Sequence, residues 1–306
     1  MKKTVFTNSI VVVVLALLCT ALWGSATPFI KTGYQCLKVE GTPSIMLFAG
    51  IRFALAGILT VVICSIIERK LLYPKKENLK YVGAISIFQT ILQYIFFYVG
   101  LANTSGVKGT ILSGSSAFFS ILVATLIFKQ EKLTLKKVIA CIIGFAGVIV
   151  VNLNGLRLNF NFFGDAFVIF SAISLAFSSV LMKVFSKYEN PVVLSGYQFV
   201  VGGLVMAGIG LALGGTVSFE SVKGIAILIY LAFLSAVAYA LWGILLKFNP
   251  VSKVTIFSFM TPVFGVILSK LILTEASQVS ALNVIIALVL ICAGIIAVNY
   301  QKTRDK

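Results

Sequence analysis

Histidine is absent from this 306-residue chain, and acidic side chains are scarce, with nine Asp and Glu against twenty-five Lys and Arg. Without imidazole there is no histidine general base, proton relay or metal ligand. Charged residues make up only 11% of the chain. A soluble domain carries roughly a quarter to keep its surface hydrated. The five cysteines (Cys19, Cys36, Cys64, Cys141, Cys292) show no paired spacing, and all but Cys36 fall inside apolar runs. That pattern argues against a disulfide or metal framework. No G-x-x-x-x-G-K-[ST] loop occurs, so nothing reads as an ATPase. No polar stretch is long enough for a soluble domain, and nothing calls for a cofactor or metal.

What the chain has is apolar residues, 59% of the total, in runs near twenty long. Runs of that length match the hydrocarbon core of a bilayer. Lipid offers no partner to free backbone groups, so spanning segments are helices or closed barrels. These runs do not alternate, which selects helices. The fold class is therefore an all-α integral membrane protein. Its partner is the lipid bilayer, and ten spans are expected at about 9–30, 44–67, 79–101, 107–128, 135–153, 163–185, 191–213, 222–246, 252–273 and 280–300. Lys2 and Lys3 before the first run imitate a signal peptide, but the run is long and no small-x-small cleavage site ends it.

The net charge of +16 would point to nucleic acid in a soluble protein. Here its distribution assigns it to membrane orientation, and no nucleic-acid partner is expected. Loops on the side of the N-terminus hold eighteen Lys and Arg, and the opposite loops hold six. Basic loops stay in the cytoplasm, which puts both termini there and the chain in the plasma membrane.

Two stretches repeat each other. Val107–Asn152 and Val251–Asn299 are both apolar hairpins with a small or kinked centre (Ser113 to Ala117; Ser258, Thr261 and Pro262). Glu131 aligns with Glu275 at an offset of 144; three further residues then bring Gly147 onto Gly294 and Asn152 onto Asn299. The division falls at 1–154 and 155–306. Five spans per unit is odd, so the second copy enters from the opposite side. The expectation is two inverted five-helix repeats, an arrangement of secondary transporters that hold substrate at the repeat interface. Glu131 would then lie on the cytoplasmic side and Glu275 on the outer side.

These residues carry a resemblance. Trp23-Gly24-Ser25 with Pro28-Phe29 and Lys31, Arg52-Phe53 with Gly57, and the hairpin with Glu131, Gly144 and Gly147 resemble the EamA-like branch of the drug/metabolite transporter superfamily. The second half repeats the pattern loosely as Ser178 to Lys183, Gln198-Phe199 with Gly203, Pro262, Glu275 and Gly294. The resemblance covers nearly the whole chain. It implies a ten-span carrier of amino acids, other metabolites or drugs. The family places a proline in mid-span 4, matching Pro262, but this chain has Phe118 there, so the hinge is expected at span 9.

Arg52 is the only ionisable residue well inside an expected span. Mid-bilayer arginine costs roughly 2.5–3.5 kcal/mol on insertion scales and so faces protein or a cavity. It reads either as an anchor for an anionic group or as a partner of backbone carbonyls that reaches the outer interface. Its repeat mate is Gln198. Trp23 and Trp242, the only tryptophans, sit within spans rather than at the interfaces that tryptophan favours. With Tyr94, Phe97, Tyr98, Tyr239, Gln89 and Gln93 they are candidates for a cavity wall. Ser116, Ser258 and Pro262 complete the candidates. Packing or hinge roles fall to Pro28, Gly144, Gly147 and Gly294, the glycines serving peripheral spans or a homodimer contact. Gly50/Ala54 and Gly210/Gly214 have small-xxx-small spacing for helix contact. Glu131 and Glu275 are expected to cap hairpin turns.

The expected function is secondary transport of a small organic solute by alternating access. No buried acid or histidine offers a proton carrier, which favours facilitated diffusion or substrate-carried coupling. A lipid-linked flippase on the same fold is the nearest alternative. A membrane-embedded enzyme lacks the base, nucleophile or metal it needs.

Overall fold

The computed structural model describes residues 3–153, 160–272 and 280–299. A short helix, Lys3–Thr7, precedes the membrane region. Nine helices are long and apolar enough to cross a membrane: α1 (Ser9–Cys36), α2 (Gly41–Glu68), α3 (Lys76–Ala102), α4 (Gly106–Ile127), α6 (Phe162–Phe185), α7 (Pro191–Ala212), α8 (Val222–Phe248), α9 (Val251–Ile272) and α10 (Ala281–Asn299). Between α4 and α6 runs α5 (Leu135–Val151), with 17 residues. The described residues thus give nine spans by length where ten were expected. At about 1.5 Å per residue α5 falls short of a 30 Å hydrocarbon core.

Helix starts follow local chemistry. Asn8, Ser105, Thr134, Asn190 and Ser221 cap α1, α4, α5, α7 and α8 by accepting backbone N–H groups. Pro191 occupies the first turn of α7, where no N–H is needed. α1 outruns its expected end by six residues, to Cys36. Apolar content fades after Ile30, but one face stays packed: Gly33 lies against Ile227 and Phe48. Lys31 is therefore helical rather than in a loop.

The main contacts form a pattern. α2 packs on α7 and α5 on α10; α1 packs on α8 and α9, while α6 packs on α3 and α4. Exchanging each helix with the one five places along maps α2–α7 and α5–α10 onto themselves and turns the two α1 pairs into the two α6 pairs. The α2–α7 crossing is the tightest. A Cβ built on Gly50 would lie 2.3 Å from the Ala207 nitrogen, and one on Gly203 would lie 2.4 Å from the Ala54 nitrogen. Gly210 meets Leu47 in the same way. Gly214 does not belong to this seam: it lies beyond the end of α7 with φ +81°, in a turn. Gly144, Gly147 and Gly294 join α5 to α10, Gly147 against Ile291 and Gly294 against the Ala140 carbonyl. Within the described fold these three glycines face another helix of the same chain. Pro28 is buried inside α1.

Helix irregularity is not confined to span 9, where the hinge is expected. α9 has a 3₁₀ segment, Ile256–Phe259, one turn before Pro262. α4 also breaks, between Gly114 and Ser116, at the aligned position and without a proline. There the Ser115 Oγ donates to the Leu112 carbonyl at 2.5 Å, competing with the backbone ladder. A Gly-Ser pair thus breaks α4.

Candidate functional site

A cleft lies between α1, α3, α4, α6, α8 and α9. It holds about 460 Å³ of atom-free space, counting what lies open at its mouth. Its walls include Trp23, Gln89, Ser116, Tyr239, Trp242 and Ser258. Ser120, Leu175, Ser178, Ser179, Met182, Gly243, Leu246 and Thr255 complete the lining. The six helices form three exchange pairs: α1 with α6, α3 with α8, α4 with α9. Met182, Leu246 and Thr255 set the cleft in the half nearest the α6–α7 and α8–α9 connections.

Irregular backbone forms part of the wall. α3 carries a π segment over Ser86–Leu92 that includes Gln89. The Ser174 Oγ donates to the Phe88 carbonyl at 2.6 Å within it. The Ser258 Oγ donates to the Thr255 carbonyl at 2.7 Å in the 3₁₀ segment of α9. Such turns appear at membrane depth where they line a cavity or are buried in protein.

The wall is aromatic on one side and hydroxylic on the other. Trp23 packs edge-on to Trp242 with ring centroids 4.9 Å apart, and against Tyr239 at 5.1 Å. The hydroxyl face comes from Ser116 and Ser120 on α4, Ser178 and Ser179 on α6, and Thr255 and Ser258 on α9. Among the lining residues no side chain is acidic or basic. Two buried donors, Trp23 Nε1 and Gln89 Nε2, have no partner. Buried donors without partners are rare and invite a ligand acceptor.

Seven sequence candidates lie outside the lining; Phe97 and Tyr98 pack instead in the apolar cluster around Phe53 and Phe199. Tyr94 sits behind the wall, its hydroxyl 3.3 Å from that of Tyr239. Gln198 is buried between α3 and α7, where its Oε1 accepts from Thr90 at 2.7 Å. Gln93 is buried on α3 with its Oε1 unpartnered. Pro262 is half-buried on α9. Arg52, 5% exposed, does not reach an interface; its guanidinium lies over the Phe53 ring at 4.3 Å. Sequence reasoning did not single out Ser120, Ser179, Met182 or Thr255. The available signal was serine recurring on one face of α6, at Ser171, Ser174 and Ser178.

Two acids flank the cleft, Asp165 buried and Glu131 partly buried. Asp165, near the start of α6, accepts from Lys108 Nζ at 2.5 Å and Thr104 Oγ1 at 2.6 Å. Glu131, in the α4–α5 connection, accepts from Lys137 Nζ at 2.5 Å and from the backbone N–H of Ser252 at 3.0 Å. The Ser252 hydroxyl also donates to it. Glu131 therefore ties its hairpin to the first turn of α9 as well as to α5. Burial pushes its carboxyl up, but the bonds from Lys137 and Ser252 outweigh that and hold it below the ordinary 4.5. Glu275 lies outside the described residues. Lys183, counted with the loops in the sequence, is in the last turn of α6. It donates to the Leu246 and Asn249 carbonyls at 3.0 and 2.6 Å, closing the end of α8.

Comparison with known proteins gives a consistent picture. A family model described as the EamA-like transporter family matches residues 10–153 and again 162–300. An uncharacterized transporter of Archaeoglobus fulgidus is 28% identical over 270 residues, 86% of this chain and 90% of the relative. The uncharacterized transporter YvbV of Bacillus subtilis is 27% identical, covering 85% of this chain and 84% of the relative. A chloroplastic WAT1-related protein of Arabidopsis thaliana is 25% identical, covering 92% of this chain and 68% of the relative. A solved crystal structure shares the fold with a TM-score of 0.74 at 16% identity, over 94% of this chain and 96% of that one.

Proposed function

The chain belongs to the EamA-like transporter family, and from that premise we propose that it moves a small organic solute across the plasma membrane by alternating access, with the cleft as its binding site. The observation that carries this reading is the make-up of the cleft. Its six helices are three exchange pairs, and both tryptophans of the chain meet in it. The two units, 1–154 and 155–306, are read as inverted repeats. The exchange pattern of helix contacts supports this, as does the family match to each half. The excess of Lys and Arg in the N-terminal-side loops supports cytoplasmic termini.

The cleft then lies in the cytoplasmic half. The opposite half is packed shut around it. Phe29 packs tilted against Tyr230 with ring centroids 4.5 Å apart, and Ser25 bonds the Tyr230 hydroxyl at 2.9 Å. Lys108 and Asp165 bridge α4 and α6 on that side. Opening would part these contacts while the cytoplasmic half closes over the cleft. Uptake of a panel of amino acids, nucleosides and organic ions into proteoliposomes tests the reading. At least one solute is expected to equilibrate. Trp23→Ala is expected to slow it by about ten-fold or more, as loss of a central aromatic contact does. Uptake unchanged by Trp23→Ala at equal reconstitution would take the cleft off the path.

A further inference from the structure

Arg52 poses a problem that packing leaves unsolved. It lies in α2, eleven residues from the helix start and sixteen from its end. Its Nε is buried and has no hydrogen-bond partner. Among the described residues no carboxylate pairs with it; the ion pairs involve Lys38, Lys70, Lys108 and Lys137 instead. The contact that holds it is the Phe53 ring. A buried charge without a counter-charge or full hydrogen bonding is costly. Ionisable residues kept at this depth mark substrate or ion pathways.

The surroundings continue toward the cleft. The hydroxyls of Tyr34, Tyr98 and Tyr239 lie within electrostatic reach of the guanidinium. Phe53 stacks on Phe199 at 5.1 Å, and Phe199 meets Tyr239 at 4.8 Å. Tyr239 belongs to the cleft wall and touches Trp23. A continuous aromatic ridge thus runs from the unpaired cation to the tryptophans. Where the ridge enters the cleft, Trp23 Nε1 and Gln89 Nε2 are also donors without acceptors.

We propose that the transported solute is an organic anion: Arg52 takes its carboxylate or phosphate, and its apolar body lies against Trp23 and Trp242. This rests on the transport reading and narrows it to a substrate class. Because Arg52 lies off the cleft, the anion reaches it by parting the Tyr94–Tyr239 hydroxyl pair. An anionic lipid headgroup offers the same chemistry, and the test separates the two sources.

Trp23 and Trp242 are the only tryptophans in the chain, so intrinsic fluorescence reports on this site directly. The purified protein in phosphatidylcholine nanodiscs is titrated with phenylacetate, phenyl phosphate, phenylacetamide and phenethylammonium. The two anions are expected to quench with affinities at least about ten-fold tighter than the neutral amide, the scale of a charge-assisted hydrogen bond. Arg52→Gln is expected to erase that preference while leaving the weak amide binding in place. Arg52→Lys, which keeps the charge but loses the fork, is expected to retain part of it. Equal affinity for anion and amide overturns the proposal, as does an anion preference that survives in Arg52→Gln or quenching by phenethylammonium alone. Competition by phosphatidylglycerol added to the nanodiscs would assign the site to lipid and overturn the solute version. Proteoliposome uptake is read separately. Solute movement without anion preference sinks this inference alone, and no movement of any solute sinks the transport reading.

Discussion

At the scale of single residues, the informative side chains are polar groups that lipid would not tolerate unless protein received them. Glu131 shows how this sets a testable property. Its carboxylate joins Lys137 to Ser252, and its titration lies below the ordinary 4.5. A carboxylate lowered on folding stabilises fully above its unfolded value, and that contribution fades as pH falls through the folded value. The unfolding temperature in detergent should therefore be steady near neutrality and drop as the pH is taken below 4.5. Glu131→Gln removes the charge from the same shape. It is expected to cost about 1–3 kcal/mol at pH 7 and to flatten the acid drop. An acid drop of equal size in the variant would place the titration elsewhere.

At the scale of helices, close approach and breakage do different work. The α2–α7 crossing is made by glycine against backbone, so neither side has a flexible atom that can yield. Gly50→Val is expected to lower stability by about 1–3 kcal/mol through overpacking, read as a fall in the unfolding temperature. An unshifted temperature would mean the seam can part. The break in α4 is a different matter, because it borders the cleft. Ser115→Ala removes the side-chain bond to the Leu112 carbonyl and should restore regular helix. Solute affinity is expected to hold while turnover falls by a few-fold, a split that initial-rate uptake and fluorescence titration resolve. Equal loss in both would mark Ser115 as part of the binding surface instead.

Much of this scale was legible in the sequence, for a physical reason. A bilayer demands long apolar helices, so the segments announce themselves with ends good to a few residues. The exceptions have causes. The extension of α1 to Cys36 is held by one packed face that average hydropathy cannot register. Gly214 shares the spacing of a contact glycine but serves a turn. The break in α4 was hidden because a proline was the expected cause and a Gly-Ser pair supplied it. The site was legible where a residue type was out of place: Trp23 and Trp242 in mid-span, Gln89, Ser116. Thr255 and the serines of α6 read as packing residues until tertiary structure set them on the cleft. Arg52 stood out, but its distance from the lining could not be read from α2 alone.

At the scale of the whole molecule, the question is whether two similar halves act as opposites. The hairpin after α4 and the hairpin after α9 hold the same place in the repeat, with Glu131 and Glu275 aligned. In tandem copies of the same sense both would face one side of the membrane. With an odd number of spans per unit they would face opposite sides, and each could close what the other opens. Five spans are required for this, which makes α5, the shortest of the ten at 17 residues, the helix on which the inversion depends. Single cysteines at Lys132 and Ser277, in a chain otherwise free of cysteine, test it in intact cells. A membrane-impermeant maleimide is expected to label the second at once and the first only after permeabilisation. Labelling of both from outside, or of neither, would mean that α5 does not cross. The halves would then share one orientation, and alternating access by exchange of inverted repeats would be ruled out together with the cytoplasmic placement of both termini.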